Sequence, residues 1–74
     1  MSGLGKPRSR LGEWLDVRGI KQEWLVQKSR VNKNTVGKLC NDPGYVPSGR
    51  TMQRIIGALR EIDQNVKSSD FWDI

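Results

Sequence analysis

The spacing of apolar residues predicts a short first helix. Ser9 is a good helix N-cap, and the apolar residues after it recur at i, i+3 and i+4, which places them on one helical face. These residues are Leu11, Trp14 and Leu15. Gly19 follows, and glycine commonly ends a helix at such a position. The pattern therefore predicts a helix that runs from the cap at Ser9 to about Arg18.

Two further short helices are predicted next to each other. Residues 21–28 form the second, with Leu25 and Val26 facing the core and Trp24 on an adjacent face. Asn32 is a good N-cap for the third, which ends near Asn41. Its inward stripe, again at i, i+3 and i+4, consists of Val36, Leu39 and Cys40.

The clearest amphipathic pattern lies in the fourth helix, predicted for residues 49–62 with Ser48 as its cap. Its apolar face consists of Met52, Ile55, Ile56 and Leu59. Gly57 inside this helix costs up to about 1 kcal/mol relative to Ala, so we expect another helix to pack closely there. The tail, residues 63–74, is too short and polar for a long helix. We expect its apolar residues to close the open end of the core through one helical turn: Val66, Phe71, Trp72 and Ile74.

These elements define an all-α fold of four to five short helices. Residues 1–8 are expected to form a flexible N-terminal arm, and residues 9–74 a single domain on which the tail packs. A chain of 74 residues buries only about 60% of its unfolded surface, so its core is marginal. With one cysteine it has no internal disulfide, which favours a reducing, cytoplasmic location. No apolar run exceeds three residues, which argues against a membrane span or signal peptide.

Positive charge is concentrated in the first half of the chain. Residues 1–40 carry nine Lys and Arg against three acids, a net charge of +6, whereas residues 41–74 carry four against five, a net charge of −1. This asymmetry favours a polyanionic partner, nucleic acid before membrane. The alternative is that the charge serves solubility alone.

The residue inventory argues against an enzyme. The chain has no His, the commonest general base and metal ligand, and no glycine-rich phosphate loop. One cysteine cannot build a zinc site, so we expect neither a metal nor a cofactor. Cys40 has no base to activate it as a nucleophile and is expected to be a small buried hydrophobic residue.

The second and third predicted helices together indicate DNA binding. Two short helices joined by a tight turn, at about residues 21–41, are typical of a helix-turn-helix, whose second helix enters the DNA major groove. Base edges there are read by hydrogen-bond donors such as Lys for guanine and Asn for adenine. Lys33, Asn34 and Lys38 supply such groups on the side opposite the apolar stripe.

The sequence here resembles the phage repressor and Cro type of helix-turn-helix, also called the XRE family, over roughly residues 11–59. "GIKQEWLVQKSRVNKNTVGKLCND" is similar to the family pattern Gly-Ile-Thr-Gln-Glu-x-Leu-Ala, a turn, then Val-Ser-x-x-Thr-Ile-x-x-Ile-Glu-x-Gly. The matching positions are Gln22, Leu25, Val31, Thr35, Val36 and Leu39. "VPSGRTMQRIIGAL" resembles the next helix of the family, Pro-Ser-x-x-Thr-Leu-x-x-Ile-x-x-Ala-Leu. The resemblance implies a lambda-repressor-like DNA-binding domain.

Two positions depart from the family pattern. Val26 stands where the family usually has Ala packed against the recognition helix, and Arg30 stands where it favours Gly in the turn. A residue other than Gly in the left-handed region costs about 1 kcal/mol or more, so we expect a strained or altered turn. The ending "DFWDI" is also similar to tails of small regulators from Gram-positive bacteria and their phages.

The resemblance also implies backbone contacts outside the third helix. Gln22 would bind a phosphate, or else be an ordinary first-turn residue. Thr35 would meet a phosphate or a thymine methyl, or merely pack, and Asn41 would bind phosphate or serve as a cap. Arg50 would touch backbone or minor groove. The segment "KPRSR", with Arg8 and Arg10, is either an arm that reaches into the minor groove or a solvated tail.

The sequence thus predicts a sequence-specific regulator that binds double-stranded DNA. The resemblance implies a repressor from a phage or mobile element that occupies an operator, as a possible homodimer on DNA. The alternative is a protein-interaction module on the same fold, such as an antirepressor or a toxin partner, with Trp24 and the tail as its contact surface. We predict that Trp24 packs under Phe71 and Trp72; an exposed patch of these three would favour the alternative.

Overall fold

A computed structural model describes residues 8–73 of the chain. It contains four α-helices and one 3₁₀ turn: α1 (Arg10–Val17), α2 (Gln22–Ser29), α3 (Lys33–Asn41), α4 (Gly49–Leu59) and the turn Ser68–Asp70. No strand occurs in these residues, so the predicted all-α class is confirmed. Residues 1–7 of the expected arm, and Ile74 of the expected core, lie outside the described part.

Side-chain caps set the start of three helices. Ser9 accepts a hydrogen bond from the Gly12 amide (3.0 Å), and Asn32 accepts one from the Asn34 amide (2.7 Å). Ser48 caps α4 in the same way. All three caps are those predicted from the sequence. α2 has no side-chain cap and begins one residue later than predicted, after Lys21.

The core lies where the four helices and the tail meet. α1 packs on α3, and α2 packs on both α3 and α4. The buried apolar side chains come from all four helices, from the turn between α2 and α3, and from the tail: Leu11, Leu15, Leu25, Val31, Val36, Leu39, Cys40, Ile55, Ile56, Ala58, Leu59, Val66, Phe71 and Trp72. Trp14, Val26 and Met52, which were expected in the core, are only partly buried against it.

The glycine that permits close helix packing is Gly12, not Gly57. A Cβ atom at Gly12 would lie 2.2 Å from the carbonyl oxygen of Cys40, whereas one at Gly57 would meet no described atom within 4 Å. Gly57 is exposed, so the prediction of a helix packed against it is wrong. Ser9 reinforces the approach of α1 to α3, because its amide donates to the Cys40 carbonyl (3.0 Å) and its hydroxyl to that of Leu39.

The end of α4 and the tail differ in detail from the prediction. α4 ends at Leu59 rather than 62, and turns follow. The tail closes the core as expected, with Val66, Phe71 and Trp72 buried. It is anchored by Arg60, whose Nε donates to the Val66 carbonyl (3.0 Å).

The tryptophan against the tail is Trp14 rather than Trp24. Its ring meets Phe71 edge to face, with centroids 6.3 Å apart. Trp24 instead lines a surface depression together with Ile20 and Ile62. The prediction that Trp24 packs under Phe71 and Trp72 therefore named the wrong tryptophan.

Candidate nucleic-acid interface

The connection between α2 and α3 is a tight turn with one left-handed residue. Arg30 has φ 60° and ψ 26°, and its amide donates to the Val26 carbonyl (2.9 Å). The buried Ser29 hydroxyl donates to the Leu25 carbonyl (2.6 Å) and accepts from the Val31 amide (3.2 Å). These bonds hold Arg30 in a conformation that usually favours glycine, so the turn keeps its shape at a local cost of about 1–2 kcal/mol.

α3 has one buried and one exposed side. Val36, Leu39 and Cys40 are at most 1% exposed and anchor the helix to α1 and α2. The three predicted base readers, Lys33, Asn34 and Lys38, are all exposed.

The three exposed donors do not form a single row. Asn34 and Lys38 are one turn apart and adjacent on the helix surface, whereas Lys33 lies about 100° around the axis from Asn34. The Lys38 ammonium lies 5.7 Å from the centre of the Tyr45 ring, so it leans towards the loop after α3. Lys33 lies on the other side of the helix, towards the start of α2.

Lys33 and Gln22 line the same surface depression. It has a volume of about 500 Å³ and also receives the basic side chains of Arg8 and Lys21. Two acids, Asp16 and Glu23, stand at the same depression. A predicted phosphate contact and a predicted base reader thus face the same depression, although they come from different helices.

Arg8 is held against the domain. Its guanidinium donates to both carboxylate oxygens of Asp16 (3.0 Å each) and to Oδ1 of Asn41 (2.5 Å). The structure therefore brings two predicted backbone contacts, Arg8 and Asn41, together at the end of α3. Arg8 does not extend from the domain as an arm.

The remaining candidates lie apart from this group. Arg10 is paired with Asp73 of the tail (3.2 Å) in an exposed ion pair. Thr35 is half-buried in the first turn of α3, and Arg50 is exposed in the first turn of α4. No hydrogen bond within residues 8–73 involves the side chain of Arg50, and Thr35 makes none with its own side chain.

Burial keeps the Cys40 thiol protonated. Burial raises the pKa of Cys40 from its ordinary value of 9.0 to about 11; the nearby Arg8 lowers it, and Asp16 raises it. A neutral thiol with no exposed surface is an apolar core group, as predicted from the sequence.

The exposed groups of α3 can donate hydrogen bonds and supply positive charge. Ammonium and amide N–H groups match acceptors such as phosphate oxygens and the N7 and O6 atoms of guanine. Within residues 8–73, no cluster of three or more His, Cys, Asp and Glu side chains could hold a metal ion. Among the helices of that region, none is both long and apolar enough to cross a membrane.

The sequence alone did not indicate the cluster of Arg8, Asp16 and Asn41. Arg8 is 33 residues from Asn41 in the chain, and no local pattern links them. Arg8 and Asp16 have opposite charges and are eight residues apart, but Arg8 precedes α1, so helical periodicity does not predict their contact.

In comparisons with known proteins, no protein family, curated protein or solved structure matches this chain. The resemblance to the repressor and Cro type therefore rests on the motif residues quoted from the sequence.

Proposed function

We propose that this protein is a sequence-specific regulator of transcription that binds double-stranded DNA through α3 and acts by occupying an operator. The observation that carries the proposal is the two-sided character of α3. Its inner side is fully buried, while its outer side presents Lys33, Asn34 and Lys38. Within residues 8–73, the side chains of Lys33 and Asn34 make no ion pair or hydrogen bond, so their donors remain available.

The size of α3 suits the major groove. An α-helix with its side chains is about 10–12 Å in diameter, which fits the major-groove width of about 12 Å, and the nine residues of α3 give a segment about 13 Å long that can lie in the groove. In helix-turn-helix docking the N-terminal residues of the second helix meet the base edges. Lys33 and Asn34 are the first two residues of α3, which supports their assignment as base readers.

The position of Gln22 supports a backbone contact beside the reading residues. Gln22 is the first residue of α2 and shares a depression with Lys33, so a strand that borders the groove entered by Lys33 passes close to Gln22. The Gln22 side chain is half-buried, and its amide N–H groups can donate to a phosphate oxygen. Lys21 adds positive charge at the same place.

The dimensions of the molecule allow two copies on one DNA site. The described chain measures 33 × 24 × 23 Å. Half-site centres one helical turn apart are separated by about 34 Å, so two copies fit side by side on one face of the duplex. The resemblance adds the rest of the proposal: a repressor of a phage or mobile element that acts in the bacterial cytoplasm and pairs on DNA.

The alternative, a protein-interaction module, has less support. It depends on an exposed patch of Trp24, Phe71 and Trp72. Phe71 and Trp72 are only 8% and 4% exposed, and Trp24 is itself partly buried against the core, so the three do not form an exposed patch.

Binding of selected genomic DNA fragments at several salt concentrations tests the proposal. A dimer that meets about five to eight phosphates should give a log affinity that falls with log salt at a slope of about −4 to −7. We expect the enriched fragments to share a two-fold symmetric sequence and to bind two copies of the protein. Salt-independent binding, or no binding to any selected duplex, would contradict the proposal and favour the interaction module.

A further inference from the structure

We infer that Arg8 is a positioning residue: held by Asp16, it orients the carboxamide of Asn41 so that Nδ2 donates to a phosphate oxygen of the DNA backbone. The inference rests on the proposed function, within which it replaces the expected role of Arg8 as a minor-groove contact. Three side chains from three parts of the chain take part. Arg8 precedes α1, Asp16 lies near the end of α1, and Asn41 is the last residue of α3.

The guanidinium of Arg8 is fixed on two edges. Nε and Nη2 each lie 3.0 Å from a different carboxylate oxygen of Asp16, the two-pronged geometry of a strong Arg–carboxylate pair. Nη1 lies 2.5 Å from Oδ1 of Asn41, and Nη2 also faces the Gly12 carbonyl at 3.5 Å. Arg8 cannot rotate towards solvent without breaking the bonds to Asp16.

The orientation of Asn41 follows from the chemistry of its partner. A guanidinium can only donate hydrogen bonds, so the atom of the carboxamide that faces it must be the oxygen. The carboxamide is planar, and its NH₂ group therefore points away from Arg8. Because Asn41 is exposed, both N–H groups are available to a partner. A phosphate oxygen can only accept, so a phosphate requires this orientation and not the flipped one.

Arg8 itself has little capacity left for DNA. A guanidinium has five N–H groups, and Arg8 makes four hydrogen bonds with them to acceptors in this chain. Asp16 also neutralises its charge at close range. The helix dipole also favours Arg8 at this position. A cation is stabilised near the C-terminal end of a helix, and Asn41, which Arg8 contacts, is the last residue of α3.

A double-mutant cycle separates a positioning role from direct contact. The measured quantity is affinity for a labelled duplex of unselected sequence, for the wild type, Arg8→Ala, Asn41→Ala and the double variant. If Arg8 acts through Asn41, each single variant should weaken binding about 3- to 10-fold, the range of one hydrogen bond. The double variant should then be at most about twofold weaker than Asn41→Ala alone. Effects that multiply in the double variant would overturn the inference, because Arg8 would contact DNA independently.

Two acidic residues at the same depression, Glu23 and Asp16, supply a second test, because neutralising them should change DNA affinity in opposite directions. Glu23 makes no ion pair or side-chain hydrogen bond within residues 8–73, so Glu23→Gln removes a negative charge near DNA and should strengthen binding. Asp16→Asn removes the same charge but releases Arg8, and we expect it to weaken binding about twofold or more. Strengthening by both substitutions would overturn the positioning role of Asp16.

The side-chain NH₂ resonances of Asn41 in the nitrogen–proton NMR spectrum give a readout that general stabilisation would not change. In the wild type they should shift when the duplex is added, and in Arg8→Ala, kept well below its melting temperature, they should shift much less. Equal shifts in both proteins would contradict the inference. A wild type that binds no duplex would overturn the proposed function as well, whereas a binding wild type with an additive cycle would overturn the inference alone.

Discussion

The outer side of α3 and the C-terminal tail both carry conspicuous side chains, but they use them differently. In the tail, Phe71 and Trp72 are buried, Asp70 accepts from the Lys67 amide (2.8 Å), and Asp73 pairs with Arg10. On α3, Lys33 and Asn34 are exposed, and their side chains have no such partner within residues 8–73. The polar and aromatic residues of the tail thus have intramolecular partners, whereas the first two residues of α3 do not.

This difference separates residues that stabilise the fold from residues available for binding. A side chain with internal partners contributes to stability, and its loss should lower the free energy of unfolding. An exposed donor without partners adds little stability, and its loss should be felt when an external acceptor is bound. Substitutions in the tail should therefore lower stability, whereas substitutions of Lys33 and Asn34 should lower DNA affinity and leave stability nearly unchanged.

The largest expected effect is on the tail. Trp72→Ala removes an indole that is 4% exposed and should lower the free energy of unfolding by about 3–5 kcal/mol, as for other buried aromatic residues. Urea denaturation followed by circular dichroism measures it. Trp24→Ala is the matched control, because removing this half-buried indole should lower the free energy of unfolding clearly less. Equal losses for the two would mean that the tail does not close the core.

The inner side of α3 should give a pH-dependent stability. The pKa of Cys40 in the fold is about 11, raised from 9.0 by burial, so folding favours the protonated thiol. This stabilisation is complete below pH 9 and is lost as the pH rises towards 11, an effect of about 2–3 kcal/mol. Unfolding of the wild type and Cys40→Ala should be compared across this range, so that pH effects unrelated to Cys40 are common to both proteins. A difference between the two proteins that does not change with pH would contradict the assignment.

A substitution in the turn that leads into α3 should raise stability instead of lowering it. Arg30→Gly relieves a left-handed residue at φ 60° but adds freedom to the unfolded chain, for a net gain of about 0.5–1 kcal/mol. Gly19 is the matched control: its φ is 68° and no described atom lies within 4 Å of its Cβ position, so Gly19→Ala should lose about 1 kcal/mol through backbone strain alone. Thermal melts measure both. Destabilisation by Arg30→Gly would mean that the arginine side chain supports the turn.

Local patterns predicted most of the fold. Ser9, Asn32 and Ser48 cap the helices as expected, and the stripe of Val36, Leu39 and Cys40 is buried, because capping and helical periodicity act over a few residues. The exposure of Lys33, Asn34 and Lys38 follows from the same periodicity.

The errors concern contacts between distant parts of the chain. Gly12 and Gly57 look alike in sequence, and only the packing of α1 on α3 gives the first a close neighbour. The sequence likewise does not show which tryptophan, Trp14 or Trp24, packs beside Phe71, because the tertiary arrangement of the helices determines it. Arg8 was expected in an arm because nothing near it in sequence reveals Asn41 as a partner.

The central claim is that the unpartnered side chains at the start of α3 read DNA bases. Its most direct test is the ratio of specific to non-specific affinity, measured for the wild type, Lys33→Ala, Asn34→Ala and Gln22→Ala on the best selected operator and an unrelated duplex. Lys33→Ala and Asn34→Ala should each cost about 1–3 kcal/mol on the operator and lower the ratio, with unchanged melting. Gln22→Ala should weaken both duplexes equally, because a phosphate carries no sequence information. If Lys33→Ala and Asn34→Ala lower both affinities together and leave the ratio unchanged, these residues do not read bases.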